Sequence, residues 1–529
     1  MADEVRRTRS LPIIPIVARR LPTRDPGGPP PLLLRVTAFS VFFFPASMIL
    51  DPLGAAGTVP MILALVLMVF WLVSSVLGLH DPVPVRHPGR LAIGVLLFAT
   101  LLSYAALMAG WTGGSTVATR ASADRWLLLL AASAAIILVA GETIRSLDDA
   151  MRYVRAILAG ALFCCLVAVV QFYAHINPMD WIASAMPGFT YNGGDTTFQL
   201  RGALVRVAGS TFTPIELGVV CSMLLPLSIW RLLFDTTGRK WMHALGTVLL
   251  VFGIATTISR SGILGLVVAM VVCIPFLPSV ARQWAFVAVP FAVVALFLGV
   301  PGLISTLAGA LSPSASDLSI TTRTDNYPRV IAMLYERPWL GAGPGNYLPD
   351  NALHILDNQY LGTVVTMGLV GLAGIVAYLV LPAVTAVHSA RTARSSSLRA
   401  LAGAVAGGLA VGAVGSLTFD SLSFPVFALT YPALVGLGGA VWIMTKKEQD
   451  SSPVAPADDV GSFLSPPDPT PLEIPDGSYV RAAHTVEAQM VRAARPPAHR
   501  DRGGLRLPVR PQGLRVDGEL RPGEPGYPL

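Results

Sequence analysis

Residues 323–371 read RTDNYPRVIAMLYERPWLGAGPGNYLPDNALHILDNQYLGTVVTMGLVG and lie between two long apolar segments. The stretch joins arginines, a glycine-rich turn, one histidine and an Asp-Asn pair to the start of another apolar segment. Only 13% of the chain is charged, whereas soluble domains carry roughly 25%. Polar chemistry of this density between apolar segments indicates a functional loop held by membrane-spanning helices.

Apolar runs recur from residue 33 to residue 444. A helix needs about 20 apolar residues to cross a bilayer, so each run predicts a span. We expect an all-α polytopic membrane protein with about twelve transmembrane helices and a large extracytoplasmic loop, 303–358, between helices 9 and 10. The predicted spans are 33–50, 58–79, 91–110, 126–141, one ending near 175, 213–234, 241–258, one ending near 280, 285–302, 360–387, 400–417 and one ending at 444.

The two ends of the chain differ in composition from the apolar middle. Residues 1–32 are basic and broken by proline, which predicts a cytoplasmic tail. Residues 33–444 are predicted to form the transmembrane domain. Residues 445–529 are rich in Pro, Arg, Asp and Gly and hold few large apolar side chains, which predicts a disordered cytoplasmic tail.

Positive charge is distributed unevenly between alternate loops. The loops on the side of the tails hold most of the lysines and arginines, so the positive-inside rule places both termini in the cytoplasm. Loops 176–212 and 303–358 then face outward. The net charge of +7 is explained by this bias and does not indicate nucleic-acid binding.

The outward side nevertheless holds arginines that topology does not require. They are Arg120, Arg125, Arg201, Arg206, Arg260, Arg323, Arg329 and Arg337. We interpret Arg206 and Arg260 as the strongest functional candidates. Solvated charge or snorkelling at a helix end is the alternative for each, and it is favoured for Arg120, Arg125 and Arg337.

The cysteines predict neither disulfides nor a metal site. All four lie in apolar runs, where cysteine behaves as a small apolar residue. They are Cys164, Cys165, Cys221 and Cys273. No zinc-type spacing is present, so no metal and no cofactor are expected.

Five short phrases follow one another between residues 206 and 425. They are RVAGSTFTP (206–214), TISRSG (257–262), PWLGAGPGNY (338–347), DNQYL (357–361) with MGLVG (367–371), and FDSLSFP (419–425). In this order they resemble the O-antigen ligase and O-antigen polymerase family of multispan glycan transferases of bacterial envelopes, over roughly residues 200–440. Many members carry histidine where this chain has Asp357.

The resemblance implies a metal-independent glycosyltransferase in cell-surface polysaccharide or exopolysaccharide biosynthesis. Such enzymes join a glycan carried on a polyprenyl diphosphate to an acceptor at the outer face of the bacterial cytoplasmic (inner) membrane. The implied partners are this donor, an acceptor lipid or glycan, membrane lipids and polysaccharide export or assembly proteins. Ligase and polymerase share the donor and differ in the acceptor, so both stay open.

An anionic diphosphate leaving group calls for fixed cations, because its charge grows in the transition state. Arginine suits this role, since its planar guanidinium grips two phosphate oxygens and stays ionised. We therefore expect Arg206 and Arg260 to be the leading diphosphate ligands, with Arg323 and Arg329 as second choices.

The acceptor hydroxyl needs a base, and Asp357 and His354 are the candidates. If this part of the loop is helical, their i, i+3 spacing places both on one face. The alternative for Asp357 is that the Asp357-Asn358 pair caps the following helix. The alternative for His354 is that it takes no part.

The glycine-rich phrase predicts a flexible turn that allows close approach of the backbone. Its members are Gly341, Gly343 and Gly345, followed by Asn346. The spacing is not that of a nucleotide-binding loop and follows no predicted strand, so nucleotide binding is not expected.

Two other classes of function remain open. One is a transporter or flippase of a lipid-linked saccharide or a small anion, which should carry ionisable residues in mid-helix. The predicted spans are almost free of them. The other is an assembly protein of a polysaccharide export system without catalytic activity.

Overall fold

The structure is a computed structural model. It describes residues 29–113, 115–193, 197–201, 204–285, 287, 318–347, 349, 351 and 354–451. Both predicted tails lie almost entirely outside these residues, as does most of the predicted ninth span, 285–302.

Long apolar helices dominate the described residues. The helices are α1 (Leu32–Phe43), α2 (Val59–Val76), α3 (Pro88–Met108), α4 (Val117–Thr143), α5 (Leu147–Ala174), α6 (Met179–Ser184), α7 (Pro214–Phe234), α8 (Lys240–Thr256), α9 (Arg260–Cys273), α10 (Leu318–Glu336), α11 (Gln359–Thr392), α12 (Ser396–Gly415) and α13 (Pro425–Asp450). Among the residues described, eight of these helices are long and apolar enough to cross a membrane. The shorter helices α1, α8 and α9 are also apolar. An all-α polytopic membrane protein is thereby confirmed, whereas the number of twelve spans is not.

Hydrogen bonds divide the loops into two groups at opposite ends of the apolar helices. One end carries the sequence phrases quoted above and is called the motif end. It is linked by the backbone bonds Ala46 to Ser210 and Gln359 to Ser416, each 2.9 Å. The opposite end is linked by Arg155 with Asp235, at 2.6 Å.

The predicted loop 176–212 is folded at the motif end. It contains α6 and three short strands, β2 (Thr190–Tyr191), β3 (Phe198–Arg201) and β4 (Leu204–Val207). A fourth strand, β1 (Met48–Ile49), lies earlier in the chain and pairs with this segment. Strand β1 pairs antiparallel with β2, and β3 pairs antiparallel with β4. The β1–β2 pair ties this segment to the chain that follows α1.

The predicted loop 303–358 is likewise not a simple loop. It holds helix α10, which contains Pro328. Apolar packing of Val330 and Leu356 with Val364 and Val365 seats α10 on the first turns of α11. The helix is fixed at the motif end because this packing buries apolar side chains of both elements.

Candidate functional site

Arg206 and Arg260 are brought to one place at the motif end. Strand β4 carries Arg206, whose Nε donates a hydrogen bond of 2.7 Å to the carbonyl oxygen of Thr257. Arg260 follows three residues later and is the first residue of α9. The free N–H groups of a helix N-terminus favour anions, so two cations and a positive helix end share this position.

The turn before α9 is held in an uncommon geometry. Ile258 has a positive φ of 46°, which is rarely adopted by a β-branched residue. Ser259 caps the helix, and its Oγ accepts from the N–H of Gly262 at 3.4 Å. A Cβ at Gly262 would lie 3.1 Å from the Cα of Gly218 in α7. This close approach seats the first turn of α9 against the start of α7.

Arg323 and Arg329 both lie on α10. The side chain of Arg323 lies outside the described residues. Arg329 is half-buried, and within the described part of the chain its buried Nη1 has no hydrogen-bond partner. A buried guanidinium nitrogen without an acceptor is costly unless an anion is bound, so Arg329 fits a ligand-binding role.

The glycine-rich phrase fills a break in helix α11. Gly368 interrupts the helix with φ 63° and ψ −160°. The N–H groups of Ala342 and Gly343 donate to the carbonyls of Val365 (3.2 Å) and Thr366 (2.8 Å). On the other side of the break, Leu369 N–H and Val370 N–H donate to the carbonyls of Pro338 (2.8 Å) and Trp339 (3.2 Å). The loop thus takes over backbone hydrogen bonds that the broken helix cannot make.

Glycine is required where the loop and the break meet. A Cβ at Gly341 would lie 2.4 Å from the carbonyl carbon of Thr366, and one at Gly368 would lie 2.3 Å from that of Trp339. Both residues also have a positive φ of 63°. The loop therefore packs into the break in α11 with the close backbone approach expected from the sequence, and its backbone hydrogen bonds hold it there.

The end of the same loop carries an amide without partners. Gly343 and Gly345 both have positive φ. A Cβ at Gly343 would lie 2.7 Å from Nδ2 of Asn346. Within the described residues, both polar side-chain atoms of Asn346 are buried without a hydrogen-bond partner. The loop thus aims an amide donor and an acceptor into the motif end.

His354 is held by its backbone and not by its ring. The hydroxyl of Tyr347 donates to the carbonyl oxygen of His354 at 2.6 Å. Ring atom Nδ1 is buried and has no hydrogen-bond partner among the described residues. The condition for a shared i, i+3 face with Asp357 is not met, because residues 355–358 form no helix and α11 begins only at Gln359.

Asn358 is the residue that caps α11. Its Oδ1 accepts from the N–H groups of Tyr360 (2.9 Å) and Leu361 (3.2 Å). Asp357, one residue earlier, has an exposed side chain. Because asparagine is the cap, the neighbouring carboxylate of Asp357 is not needed to start α11.

A second carboxylate, Asp420, faces the same helix start. It lies between α12 and α13, and its Oδ1 is 3.9 Å from the Cβ position of Gly362 in the first turn of α11. Burial raises the pKa of Asp420 to about 6; the hydroxyl of Ser423, which donates to its Oδ2, works against this rise, and the negative charge of Asp357 adds to it. The phrase FDSLSFP contains Asp420, which was given no role from the sequence. The available signal was a carboxylate in an otherwise uncharged turn between two apolar segments.

Glu216 joins the starts of two helices at this end. It is fully buried, and its Oε1 accepts from the N–H groups of Val426 (2.7 Å) and Phe427 (2.9 Å) at the start of α13. Its Oε2 accepts from the N–H of Phe212 at 2.8 Å. The rings of Phe212 and Phe424 lie 6.2 Å apart. The arginine-bearing segment and the Asp420 turn are therefore parts of one connected structure.

The comparisons with known proteins bear on this end of the molecule. Residues 245–376 match the sequence model of the family described as O-antigen ligase. Residues 245–376 are therefore O-antigen ligase-like. No curated protein matches it.

The O-antigen ligase-like segment contains most of the residues singled out from the sequence. Arg260, Arg323, Arg329 and Asp357 fall inside the matched range, together with the loop that fills the break in α11. Arg206 and Asp420 lie outside it and reach the segment through the contacts described above. The match supports, in general terms, a membrane glycan ligase or polymerase that acts on a lipid-linked glycan and an acceptor.

The described residues contain no group of three or more His, Cys, Asp and Glu side chains placed to hold a metal ion. The four cysteines are buried and unpaired.

Proposed function

We propose that the protein transfers a glycan from a polyprenyl diphosphate to an acceptor lipid or glycan in cell-surface polysaccharide biosynthesis. The reaction takes place at the outer face of the bacterial cytoplasmic membrane. The observation that carries the proposal is the hydrogen bond from Arg206 to the Thr257 carbonyl, which places Arg206 beside the start of α9 and Arg260. The O-antigen ligase match over residues 245–376 supports the same reaction class.

The diphosphate leaving group is bound by Arg206 and Arg260. The bond from Arg206 Nε fixes the plane of its guanidinium, so its terminal nitrogens are oriented before the donor binds. The N-terminus of α9 adds backbone N–H groups to the same position. These fixed positive groups stabilise the charge that grows on the departing diphosphate. Arg329 supplies a further cation on α10, the helix that also carries Arg323.

The acceptor hydroxyl loses its proton to the carboxylate pair of Asp357 and Asp420. The negative charge of Asp357 favours the protonated form of Asp420, because two like charges close together repel each other. The raised pKa of Asp420, about 6, brings the pair closer to the range in which a carboxylate acts as a base near neutral pH. His354 remains the second candidate, since its Nδ1 is buried without a partner in the described structure.

The distribution of charge argues against a transport pathway. In the eight described spans, Asp, Glu, Lys and Arg lie only in the outer thirds of each helix. Glu216 is the most buried of them, and it caps α13 instead of lining a path. A pathway for ions or charged substrates would place ionisable groups near mid-membrane.

Orientation is part of the proposal. Both termini are assigned to the cytoplasm and the motif end to the outside, because the lysines and arginines of short loops concentrate at the opposite end. The donor diphosphate then meets the arginines at headgroup depth.

Deletion of the protein in the organism that produces it tests the reaction class. The surface glycan is analysed for chain length and lipid linkage, and the membrane for polyprenyl-diphosphate-linked glycan. We expect the lipid-linked donor to accumulate. Loss of long chains with retained short ones then assigns the polymerase, and unattached polymer assigns the ligase. Normal surface glycan together with a normal donor level would contradict the proposal.

A further inference from the structure

A second concave site lies beside the arginines at the motif end. It has a volume of about 310 Å³ and is bounded by β1, β2, the short helix α6 and the backbone of residues 209–211. Clefts that bind small molecules span roughly 300–1,000 Å³. The cavity is therefore large enough for one or two small rings.

The floor of the pocket is rigid. Gln171, fully buried in α5, donates from Nε2 to the Gly209 carbonyl and accepts at Oε1 from the Gly209 N–H, at 2.9 and 2.7 Å. Gly209 has φ +64°, and a Cβ there would lie 2.7 Å from Sγ of Cys164. The hydroxyl of Ser210 donates to the carbonyl of Phe42 at 2.6 Å. A floor held by buried bonds of this kind keeps its shape before a ligand binds.

The wall of the pocket carries oriented polar groups. The same Gln171 Nε2 also donates to Oδ1 of Asn177 at 2.9 Å, and Nδ2 of Asn177 donates to Oδ1 of Asp180 at 2.7 Å. The amide and the carboxylate are thereby fixed relative to each other. Ser47 and Thr197 add a hydroxyl each to the lining. Hydroxyl, amide and carboxylate groups together offer both donors and acceptors to a polyhydroxylated ligand.

Two aromatic rings complete the lining, Tyr191 on β2 and Phe198 at the start of β3. Tyr191 is 52% exposed. A flat apolar ring beside hydrogen-bonding groups matches a pyranose, which presents C–H bonds on its faces and hydroxyls around its rim. Among the described residues that line the pocket, Asp180 is the only charged one. The pocket therefore disfavours an anion, whereas the neighbouring arginines favour one.

We infer that this pocket binds a neutral saccharide unit of a glycan substrate. The assignment of that saccharide to a substrate rests on the proposed function. Its position follows from the chain itself, because the pocket floor begins two residues after β4, the strand that carries Arg206. The pocket floor and Arg206 are therefore close to each other along the chain.

Saturation-transfer NMR on the full chain in lipid nanodiscs tests the inference. The probes are methyl glycosides of glucose, galactose, mannose, rhamnose and N-acetylglucosamine. We expect saturation of ring protons in at least one of them, weaker by about fivefold or more in Tyr191→Ala because a stacking partner is lost. The matched control is Trp181→Ala, which removes an aromatic side chain that is 70% exposed on α6 and does not line the pocket.

The outcomes separate cleanly. An equal signal in wild type and Tyr191→Ala, or no signal from any probe with monodisperse wild-type protein, overturns the inference. Sugar binding is measured here without transfer, so the inference and the proposed reaction can fail independently. In a transfer assay, Asp180→Ala is expected to raise KM for the lipid-linked donor alone or for the acceptor alone, which identifies the source of the sugar. An unchanged KM for both substrates contradicts the inference.

Discussion

At the residue scale, the neighbouring residues Asp357 and Asn358 are assigned two different roles. Asn358 caps α11, and Asp357 is proposed as the base. A sequence containing Asp-Asn before a helix allows either residue to be the cap. In the structure Asn358 accepts the two N–H bonds that start α11, and Asp357 does not have to. This division turns the identity of the base into a question that conservative substitutions can answer.

Asp357→Asn is expected to lower transfer by about 100-fold or more, the usual effect of losing a positioned base. The thermal unfolding midpoint should stay unchanged, because the cap is intact. Asn358→Asp is the matched control, since aspartate caps as well as asparagine, and it should keep transfer near the wild-type level. The measurement is transfer of lipid-linked glycan in membranes, normalised to protein amount. Full activity of both Asp357→Asn and His354→Ala would remove this segment from the chemistry.

The pair of carboxylates also predicts a pH dependence. The pKa of Asp420 is raised from its ordinary 3.8 to about 6. The folded state therefore holds a proton that the unfolded state releases, so the free energy of unfolding falls as pH rises from about 4 to about 6. Transfer should rise over the upper part of this window, since a base must be unprotonated to accept a proton.

The rate of transfer by purified protein, measured between about pH 5 and about pH 8, checks this expectation. Wild type should show an inflection near pH 6. Asp420→Asn should lose that inflection because the coupled proton is gone. An unchanged profile in Asp420→Asn would show that Asp420 does not titrate with the base.

At the element scale, the break in α11 is held open by the loop that precedes it. Four backbone hydrogen bonds join residues 338–343 to residues 365–370 and replace the helical bonds that are lost around Gly368. Gly341 contacts the backbone of α11 next to the break, and Gly368 contacts the backbone of the loop. Neither site has room for a Cβ. The entrance to α11, with Asn358 and Asp357, therefore depends on two glycines that make no contact with substrate in the proposed reaction.

Gly368→Ala and Gly341→Ala should each destabilise the protein by at least about 1–3 kcal/mol, since both force alanine into a positive φ against neighbouring backbone. Gly94→Ala is the control. Gly94 lies in α3 with no atom within 4 Å of its Cβ position, and alanine is the better helix former. The thermal unfolding midpoint of each detergent-solubilised variant is the measurement. Wild-type midpoints in Gly341→Ala and Gly368→Ala would mean that the loop does not hold the break.

The sequence predicted the apolar helices because hydrophobic runs of span length have few other structures open to them in a membrane. It did not predict the break at Gly368, because a glycine inside an apolar run looks like an ordinary helical residue. The pairing of β1 with β2 was also missed, since those strands are two residues long and far apart in the chain. Asp420 was missed for a related reason: its environment is made by Asp357 and Gly362, which only the folded chain brings near.

At the scale of the whole molecule, the loops that carry the sequence phrases gather at one end of the apolar helices. The proposed orientation puts this end outside the cell. Ser184 is the last residue of α6 at the motif end, and Thr236 follows α7 at the opposite end; both are exposed. The four native cysteines are buried and should contribute little background labelling.

Ser184→Cys should be labelled by a membrane-impermeant thiol reagent on intact cells, and Thr236→Cys should be labelled only after the membrane is opened. The difference follows from the concentration of lysine and arginine in the loops of the opposite end. Labelling of Thr236→Cys but not of Ser184→Cys on intact cells would reverse the orientation and place the arginines in the cytoplasm.

The central claim is that arginines at the start of α9 hold the diphosphate of a lipid-linked glycan during its transfer. The direct measurement is release of polyprenyl diphosphate by the purified full chain in liposomes, supplied with lipid-linked glycan extracted from a deletion strain. We expect release by wild type and by Arg120→Ala, which replaces an exposed arginine whose side chain donates to the hydroxyl of Ser115. Arg260→Ala should release the diphosphate at least about 100-fold more slowly, and Arg260→Lys should recover little of the loss. Release by Arg260→Ala and Arg206→Ala at the wild-type rate, in protein that elutes as a single species, would contradict the account.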